Sequence, residues 1–180
     1  ELGIEKLDAL RLLSELESVS GRFQFIVSKE NITAIVDYAH TPDALENVLS
    51  TINDIRTKNE QLITIVGCGG DRDKTKRPIM AHIATDMSDK AILTSDNPRT
   101  ENPETIIAEM ETGITAVNYK KYMAITDRKQ AIKTACQLAQ PNDIILIAGK
   151  GHETYQEING VRHDFDDMKM VKEILEQLNK

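Results

Sequence analysis

One polar loop holds the residues of this sequence that are best suited to recognise a charged ligand. It spans residues 95–103, which read SDNPRTENP. The apolar run at 91–94 predicts a buried strand before it, and its Asn102-Pro103 end is typical of a helix start with proline at the first helical position. Two prolines stiffen the loop, so Arg99 is suited to two-point recognition of a carboxylate. A capped turn with a solvated arginine is the alternative interpretation.

Three other clusters of glycine, histidine and charged residues also follow predicted strands. They are residues 37–40 (DYAH) after the strand at 32–36, residues 67–73 (GCGGDRD) after 62–66, and residues 149–153 (GKGHE) after 143–148. In a parallel sheet, ligands bind beyond the carboxyl ends of the strands. We therefore expect all four clusters to lie along one edge of a sheet and to form a binding crevice.

The glycine-rich cluster at 67–70 could let a ligand approach the backbone and could aim N–H groups at an anion. It matches neither the dinucleotide-binding pattern nor the P-loop, and a flexible turn is the alternative. Four nearby residues add positive charge: Arg72, Lys74, Lys76 and Arg77. A solvated basic face would also explain these four.

The other two clusters contain groups that could bind a polar ligand. Asp37 and His40 could hold a ribose hydroxyl or relay a proton, because histidine titrates near neutral pH. A structural histidine beside a helix cap is the alternative. Glu153 follows the Gly149 turn and is suited to an ammonium group, unless this segment is a plain exit loop.

Arginine and carboxylate groups at one edge suit a small zwitterion such as an amino acid, because each charged end of the ligand finds an opposite partner. The four clusters contain no obvious pair of a nucleophile and a base, and no complete set of groups to bind a phosphate. We interpret Cys68 as a structural thiol, since no histidine stands within its motif.

The elements that must position these clusters alternate between strand and helix. Further strands are predicted at 23–27, in a hairpin with 32–36, and at 90–94 and 122–125. Helices are predicted at 1–19, 41–58, 77–87, 103–112, after a cap at Asp127, and at 166–178, with a turn at 159–160 before the last. This alternation predicts an α/β fold, Rossmann-like, with a mostly parallel sheet flanked by helices.

Composition predicts a globular, cytoplasmic protein. The 180 residues are 40% hydrophobic and 28% charged, and the 22 basic and 29 acidic side chains give a net charge of -7. This charge argues against a nucleic-acid partner bound through a basic face. No opening apolar segment resembles a signal peptide, and no apolar run approaches the length that a membrane span requires. Two cysteines without metal-site spacing indicate reduced thiols and no metal site.

Five ordered stretches carry a resemblance to a known family. They are residues 37–45 (DYAHTPDAL), 67–74 (GCGGDRDK), 76–78 (KRP), 96–99 (DNPR) and 149–153 (GKGHE). They resemble the C-terminal domain of the Mur ligases, in the branch that adds meso-diaminopimelate. The resemblance runs from about residue 21 to the C-terminus, which implies a domain at 21–180. Residues 1–20 resemble the tail of the family's central ATPase domain.

The resemblance implies an ATP-dependent amide ligase of peptidoglycan synthesis. In that reaction ATP phosphorylates a carboxylate of a UDP-MurNAc-dipeptide, and the amine of the incoming amino acid attacks the acyl phosphate. The residues that the resemblance assigns to meso-diaminopimelate are Arg72, Asp96, Asn97, Pro98, Arg99, Gly149 and Glu153. Arg72 and Arg99 would pair with carboxylate and Glu153 with ammonium. Members that add lysine depart from the motif at the arginine, which this chain keeps.

By the same resemblance, Arg22, Asp37 and His40 would contact ATP, Arg22 at a phosphate and Asp37 at the ribose. The family keeps its P-loop, a carbamylated lysine and most Mg²⁺ ligands in its central domain, and its UDP-binding residues in an N-terminal domain. None of these can be placed in this sequence. We therefore expect a fragment that supplies no catalytic residue and does not catalyse ligation alone, within an enzyme that acts as a monomer.

Two other classes of function remain open at this point. One is a related ligase domain of another specificity, such as a lysine-adding ligase or a folylpolyglutamate synthase, against which the DNPR stretch argues. The other is a non-catalytic module that binds an amino acid or a dinucleotide. The missing GxGxxG pattern argues against its dinucleotide form.

Overall fold

The structure is a computed structural model that describes residues 23–180. The helix predicted at 1–19, the predicted domain tail at 1–20 and the ATP contact predicted for Arg22 lie outside the described residues.

The described residues form eight strands and five helices. The strands are β1 (Gln24–Val27), β2 (Thr33–Asp37), β3 (Leu62–Cys68), β4 (Lys90–Ser95), β5 (Tyr122–Ala124), β6 (Ile144–Ala148), β7 (Tyr155–Ile158) and β8 (Val161–Asp164). The helices are α1 (Pro42–Ile55), α2 (Lys76–Met87), α3 (Pro103–Glu111), α4 (Arg128–Leu138) and α5 (Asp167–Gln177).

Six of the strands form one sheet in the order β1-β2-β6-β3-β4-β5. Only β1 is antiparallel, where it pairs with β2, and the other neighbours run parallel. The predicted α/β fold with an N-terminal hairpin is therefore confirmed. The carboxyl ends of β2, β6, β3 and β4 lie side by side at one edge.

Helices cover both faces of this sheet. Helices α1, α2 and α3 pack on one face against side chains that include Ile35, Val66 and Leu146. Helices α4 and α5 pack on the other against side chains that include Ile65 and Ile147. Neighbouring residues thus enter opposite core layers, as the period of a strand requires. Strands β3 and β6 are buried along their whole length, which explains their unbroken apolar runs.

Side-chain caps fix four helix starts at the residues that the sequence indicates. Thr41, Asn102, Asp127 and Asp166 each accept a hydrogen bond from a backbone N–H in the first turn of the following helix. Helix α1 ends at Ile55, before the predicted end at residue 58. The next residue, Arg56, is extended, and its guanidinium donates a hydrogen bond to Asp89.

A second, two-stranded sheet is formed by β7 and β8. Its turn holds Asn159 and Gly160, both with positive φ (50° and 75°), as a tight hairpin turn requires. The turn at 159–160 was predicted from the sequence, but the strands on either side of it were not. Among residues 23–180, no helix is both long and apolar enough to cross a bilayer.

Candidate functional site

The four polar clusters meet at one edge of the sheet, as expected. Gly149 N donates to the Asp37 carbonyl oxygen (3.0 Å), which joins the loops after β6 and β2. Gly70 N donates to the Asn97 carbonyl oxygen (2.9 Å), which joins the loops after β3 and β4. The parallel order of the sheet therefore brings segments that are distant in sequence together at this edge, and we call the surface that they form the crevice.

Asn97 is the centre of the hydrogen-bond network in this crevice. Its side-chain Oδ1 accepts from Lys150 Nζ (3.1 Å) and from Glu157 N (2.9 Å), while its Nδ2 donates to Glu153 Oε2 (2.8 Å). Asn97 is only 2% exposed. Its amide therefore holds the neighbouring groups in place, and little of its surface is left for a ligand.

Lys150 is a buried cation that sequence reasoning missed. Its side chain is fully buried and its ammonium lies 3.2 Å from Glu153 Oε2, with the Tyr155 ring centroid at 5.6 Å. Oε2 of Glu153 thus receives two donors, whereas Oε1 receives no hydrogen bond from residues 23–180. One oxygen is anchored and the other is available to a ligand. The spacing of Lys150 and Glu153 was the only sequence signal for this pair.

Arg99 adopts a left-handed backbone conformation (φ 51°), which is uncommon for a residue with a side chain and costs on the order of 1 kcal/mol. Its Nη1 donates to the Gly70 carbonyl oxygen (2.8 Å), and its Nε lies 3.9 Å from Glu157 Oε2. The side chain is 21% exposed. These contacts leave N–H groups of the guanidinium unused. Arg99 can therefore still donate hydrogen bonds to a carboxylate and bind it in a fixed orientation.

The remaining predicted site residues lie in the same loops. A Cβ at Gly69 would meet Arg99 Nη1 at 2.9 Å and Arg72 Cγ at 3.8 Å, so the two arginines flank this glycine. Arg72 is exposed, and its Nη1 donates to the Asp71 carbonyl oxygen (3.0 Å). Gly149 has a φ of 117° and lies against Asp96 Oδ2, while Pro98 is buried in the loop.

The interpretation of Arg77 as part of a solvated basic face was wrong. Its side chain is fully buried and donates to both carboxylate oxygens of Glu101 (2.9 Å each) and to Glu109 (2.6 Å). Hydrogen bonds from Arg77, followed by one from Asp71 N, lower the pKa of Glu101 to about 2. Arg77 Nη2 also donates to the Gly69 carbonyl oxygen (3.3 Å). The buried ion pair therefore stabilises the loop after β3.

A second buried ion pair lies under the loop after β4. Arg128 and Asp167 are both fully buried and form two hydrogen bonds of 2.9 and 2.8 Å. Burial is the largest single effect and would lower the pKa of Arg128, but the charge and hydrogen bonds of Asp167, together with the charges of Asp96 and Glu153, outweigh it and raise the pKa. Arg128 also reaches the Ala148 carbonyl oxygen (3.1 Å) and lies 3.9 Å from Asp96 Oδ2. It therefore ties two crevice loops to helices α4 and α5.

The loop after β2 lines a cleft of about 410 Å³. Its walls are formed by Phe23, Asp37, Tyr38, Ala39, His40, Ala44, Asn47, Val48 and Thr51. Asp37 Oδ2 accepts from Phe23 N (2.7 Å), and the ring nitrogen Nδ1 of His40 donates to the Tyr38 carbonyl oxygen (2.9 Å). The cleft is mainly apolar, and its lining includes one carboxylate, that of Asp37.

Cys68, in contrast, offers no reactive group to the crevice. It is buried, and burial raises the pKa of its thiol to about 12, so the thiolate is not populated near neutral pH. Among residues 23–180, no group of three histidine, cysteine, aspartate or glutamate side chains is arranged to hold a metal ion.

Comparison with known proteins matches residues 21–151 to a family described as Mur ligase, glutamate ligase domain. This chain belongs to the Mur ligase family. A UDP-N-acetylmuramoyl-L-alanyl-D-glutamate--2,6-diaminopimelate ligase of Cytophaga hutchinsonii is 56% identical over 99% of the chain and 37% of the relative. A ligase of the same name from Bacteroides thetaiotaomicron is 56% identical over 96% of the chain and 36% of the relative.

Solved structures include a similar Mur ligase. A structure of a UDP-N-acetylmuramoyl-L-alanyl-D-glutamate--2,6-diaminopimelate ligase superposes with a TM-score of 0.82 at 48% identity, over 94% of the chain and 34% of that protein. The chain therefore spans about a third of the length of these three ligases.

Proposed function

We propose that this chain is the amino-acid-binding part of a ligase that joins meso-diaminopimelate to UDP-N-acetylmuramoyl-L-alanyl-D-glutamate. The observation that carries the proposal is the placement of Arg99 and Glu153 on two neighbouring loops, which the hydrogen bond from Asn97 to Glu153 joins. A guanidinium and a carboxylate held at fixed positions match the carboxylate and ammonium of an amino-acid end. The ligases that resemble this chain along 96–99% of its length carry this activity in their names.

Diaminopimelate has two amino-acid ends, and one amine must stay free to react. Arg99, with Arg72 beside it, would pair with the carboxylate of the distal end, and the open Oε1 of Glu153 would accept its ammonium. Lysine lacks the distal carboxylate and would leave the guanidinium without its partner. A site built around a polar group discriminates strongly against an analogue that lacks the matching group.

ATP would occupy the neighbouring cleft, with its ribose at Asp37 and its base near His40, while Arg22 would meet a phosphate. ATP transfers its terminal phosphoryl group to a carboxylate of the UDP-MurNAc-dipeptide and leaves as ADP. The free amine of diaminopimelate then attacks the acyl carbon, so that the amide bond forms and phosphate leaves. The crevice residues would act by orienting the amine, and we assign no catalytic residue to this chain.

Mur ligases use Mg²⁺, but the described residues contain no group of three suitable ligands. We therefore assign no residue of this chain to the ion and propose that most of its ligands lie elsewhere in the ligase. That the ligase is a cytoplasmic monomer and binds neither nucleic acid nor a membrane remains a prediction, and the net charge of -7 supports only the absence of a nucleic-acid partner.

An NMR titration of the 180-residue chain with meso-diaminopimelate and then with L-lysine tests the proposal. We expect shifts of the backbone amides of Asp96, Asn97, Arg99 and residues 149–153 with the first ligand and much smaller shifts with the second. Equal shifts with both ligands would contradict the role of Arg99. A related ligase of other specificity would shift with its own amino acid, such as lysine, at the same residues.

A further inference from the structure

The β7–β8 hairpin contacts each polar residue of the Asp96–Arg99 loop. Glu157 N donates to Asn97 Oδ1 (2.9 Å), and Arg99 N donates to the Glu157 carbonyl oxygen (3.0 Å). Asn159 N donates to the Arg99 carbonyl oxygen (2.7 Å). Both backbone groups of Arg99 are therefore bound by the hairpin, in a short parallel bridge to Ile158.

Gln156 adds a side-chain contact to this set. Its Nε2 donates to the Asp96 carbonyl oxygen (2.7 Å) and lies 3.4 Å from Ser95 Oγ. Successive side chains of a strand point to opposite faces. Gln156 therefore faces the carboxyl end of β4, while Tyr155 and Glu157 share the other face of β7. On that face Tyr155 packs near Lys150, and Glu157 approaches Arg99.

The hairpin has little other support. All four residues of β8 are exposed, and the two strands form a sheet separate from the main one. A two-stranded hairpin is marginal by itself in water. Arg99, for its part, occupies a backbone conformation that must be imposed by its surroundings. Loop and hairpin therefore stabilise each other.

The hairpin lies beyond the residues that match the family model. The family match ends at residue 151, whereas β7 begins at Tyr155. Two diaminopimelate ligases nevertheless align with 96–99% of this chain.

From these contacts we propose that the β7–β8 hairpin is a specificity element and that Gln156 is its positioning residue. By holding the Asp96 and Arg99 backbone, it sets the guanidinium at the distance that the distal carboxylate of the amino acid requires. This inference rests on the proposed function. It predicts an effect on the amino-acid substrate and none on ATP, whose cleft lies at the loop after β2.

The test compares two variants of Gln156 in the full-length ligase that contains this chain. Gln156→Glu keeps the shape of the side chain but turns a donor into a carboxylate that faces a carbonyl oxygen. We expect a rise of about tenfold in the KM for meso-diaminopimelate, from one lost hydrogen bond and one repulsive contact, with the KM for ATP unchanged. Gln156→Ala should act in the same direction more weakly, and it replaces the first variant if that one fails to fold.

His163→Ala is the matched control, because His163 is exposed and pairs with Gln156 on the facing strand. It should leave both KM values unchanged. The inference is overturned if the Gln156 variants leave the KM for meso-diaminopimelate unchanged, or if they raise both KM values by the same factor.

Hydrogen exchange without substrate separates this inference from the proposed function. In Gln156→Glu, the amides of Arg99 and Asn159 should exchange about tenfold faster, while those of β3 keep the wild-type rate. Unchanged exchange at Arg99 would contradict the inference even if the ligase uses diaminopimelate. A wild-type ligase that does not turn over diaminopimelate would contradict the proposed function, whatever the exchange rates show.

Discussion

Lys150 Nζ lies 3.2 Å from Glu153 Oε2, and the Lys150 side chain is fully buried. Taking a cation out of water is costly unless an opposite charge and hydrogen bonds accompany it. Glu153 therefore neutralises Lys150 through one oxygen while its side chain remains 18% exposed. The carboxylate proposed to receive the ligand ammonium is thus held in place before the ligand arrives.

Removing the charge of Glu153 should destabilise the domain more than removing the whole pair. Glu153→Gln leaves Lys150 buried beside a neutral amide, and we expect a loss of about 1–3 kcal/mol in the free energy of unfolding. The double variant Lys150→Met with Glu153→Gln should recover part of this loss. Urea unfolding of the single and the double variant measures the two free energies of unfolding. Equal stability of Glu153→Gln and the wild type would show that Lys150 does not depend on this carboxylate.

The pair of Arg128 and Asp167 supplies a second prediction, because neither side chain reaches solvent. Arg128→Met should reduce the free energy of unfolding by about 3–5 kcal/mol, since Asp167 is left as a buried unpaired charge. Adding Asp167→Leu should restore most of the loss. A denaturant titration of the single and double variants measures these free energies of unfolding. If the losses of the two substitutions simply add, the prediction is contradicted.

Acid should weaken the support beneath the loop after β3. The pKa of Glu101 is lowered from 4.5 to about 2, chiefly by hydrogen bonds from Arg77. A lowered pKa in the folded state contributes stability that is present above pH 4.5 and is lost as the pH falls towards about 2. Glu101→Gln should therefore be less stable than the wild type at neutral pH, and the difference should shrink through this window. A difference that is independent of pH would contradict the assignment.

Gly70 should not tolerate a side chain. A Cβ there would lie 2.0 Å from the Pro98 carbonyl oxygen, which is backbone and cannot turn away. Gly70→Ala should cost about 1–3 kcal/mol of stability and should displace the loop that carries Arg99. Gly69→Ala is the matched control, because its Cβ would meet the movable end of the Arg99 side chain at 2.9 Å. Thermal unfolding of the two variants compares them, and equal losses would argue against the backbone contact.

Local sequence patterns predicted most of the fold. The caps at Thr41, Asn102 and Asp127 were identified correctly because capping depends on a residue and its next few neighbours. The position of the crevice followed from strand order, since parallel strands place their carboxyl ends together. These inferences need only short segments and one rule of topology.

Side-chain partners across the crevice could not be predicted in the same way. Asn97 meets Glu153 across 56 residues, and Arg128 meets Asp167 across 39. Arg77 stands in a basic stretch and looked solvated, but its counter-charge comes from Glu101 in another loop. Burial of a charge depends on partners that tertiary structure brings close, and spacing along the chain does not reveal them.

Arg99 is proposed to select diaminopimelate by its distal carboxylate. The most direct test measures ATP-dependent phosphate release by the full-length ligase with meso-diaminopimelate and with L-lysine, for the wild type and for Arg99→Ala. The wild type should strongly prefer diaminopimelate. Arg99→Ala should lose at least about tenfold in kcat/KM for diaminopimelate, about 1.4 kcal/mol, with an unchanged KM for ATP. Wild-type kinetics and an unchanged preference in Arg99→Ala would remove Arg99 from the site and contradict the claim.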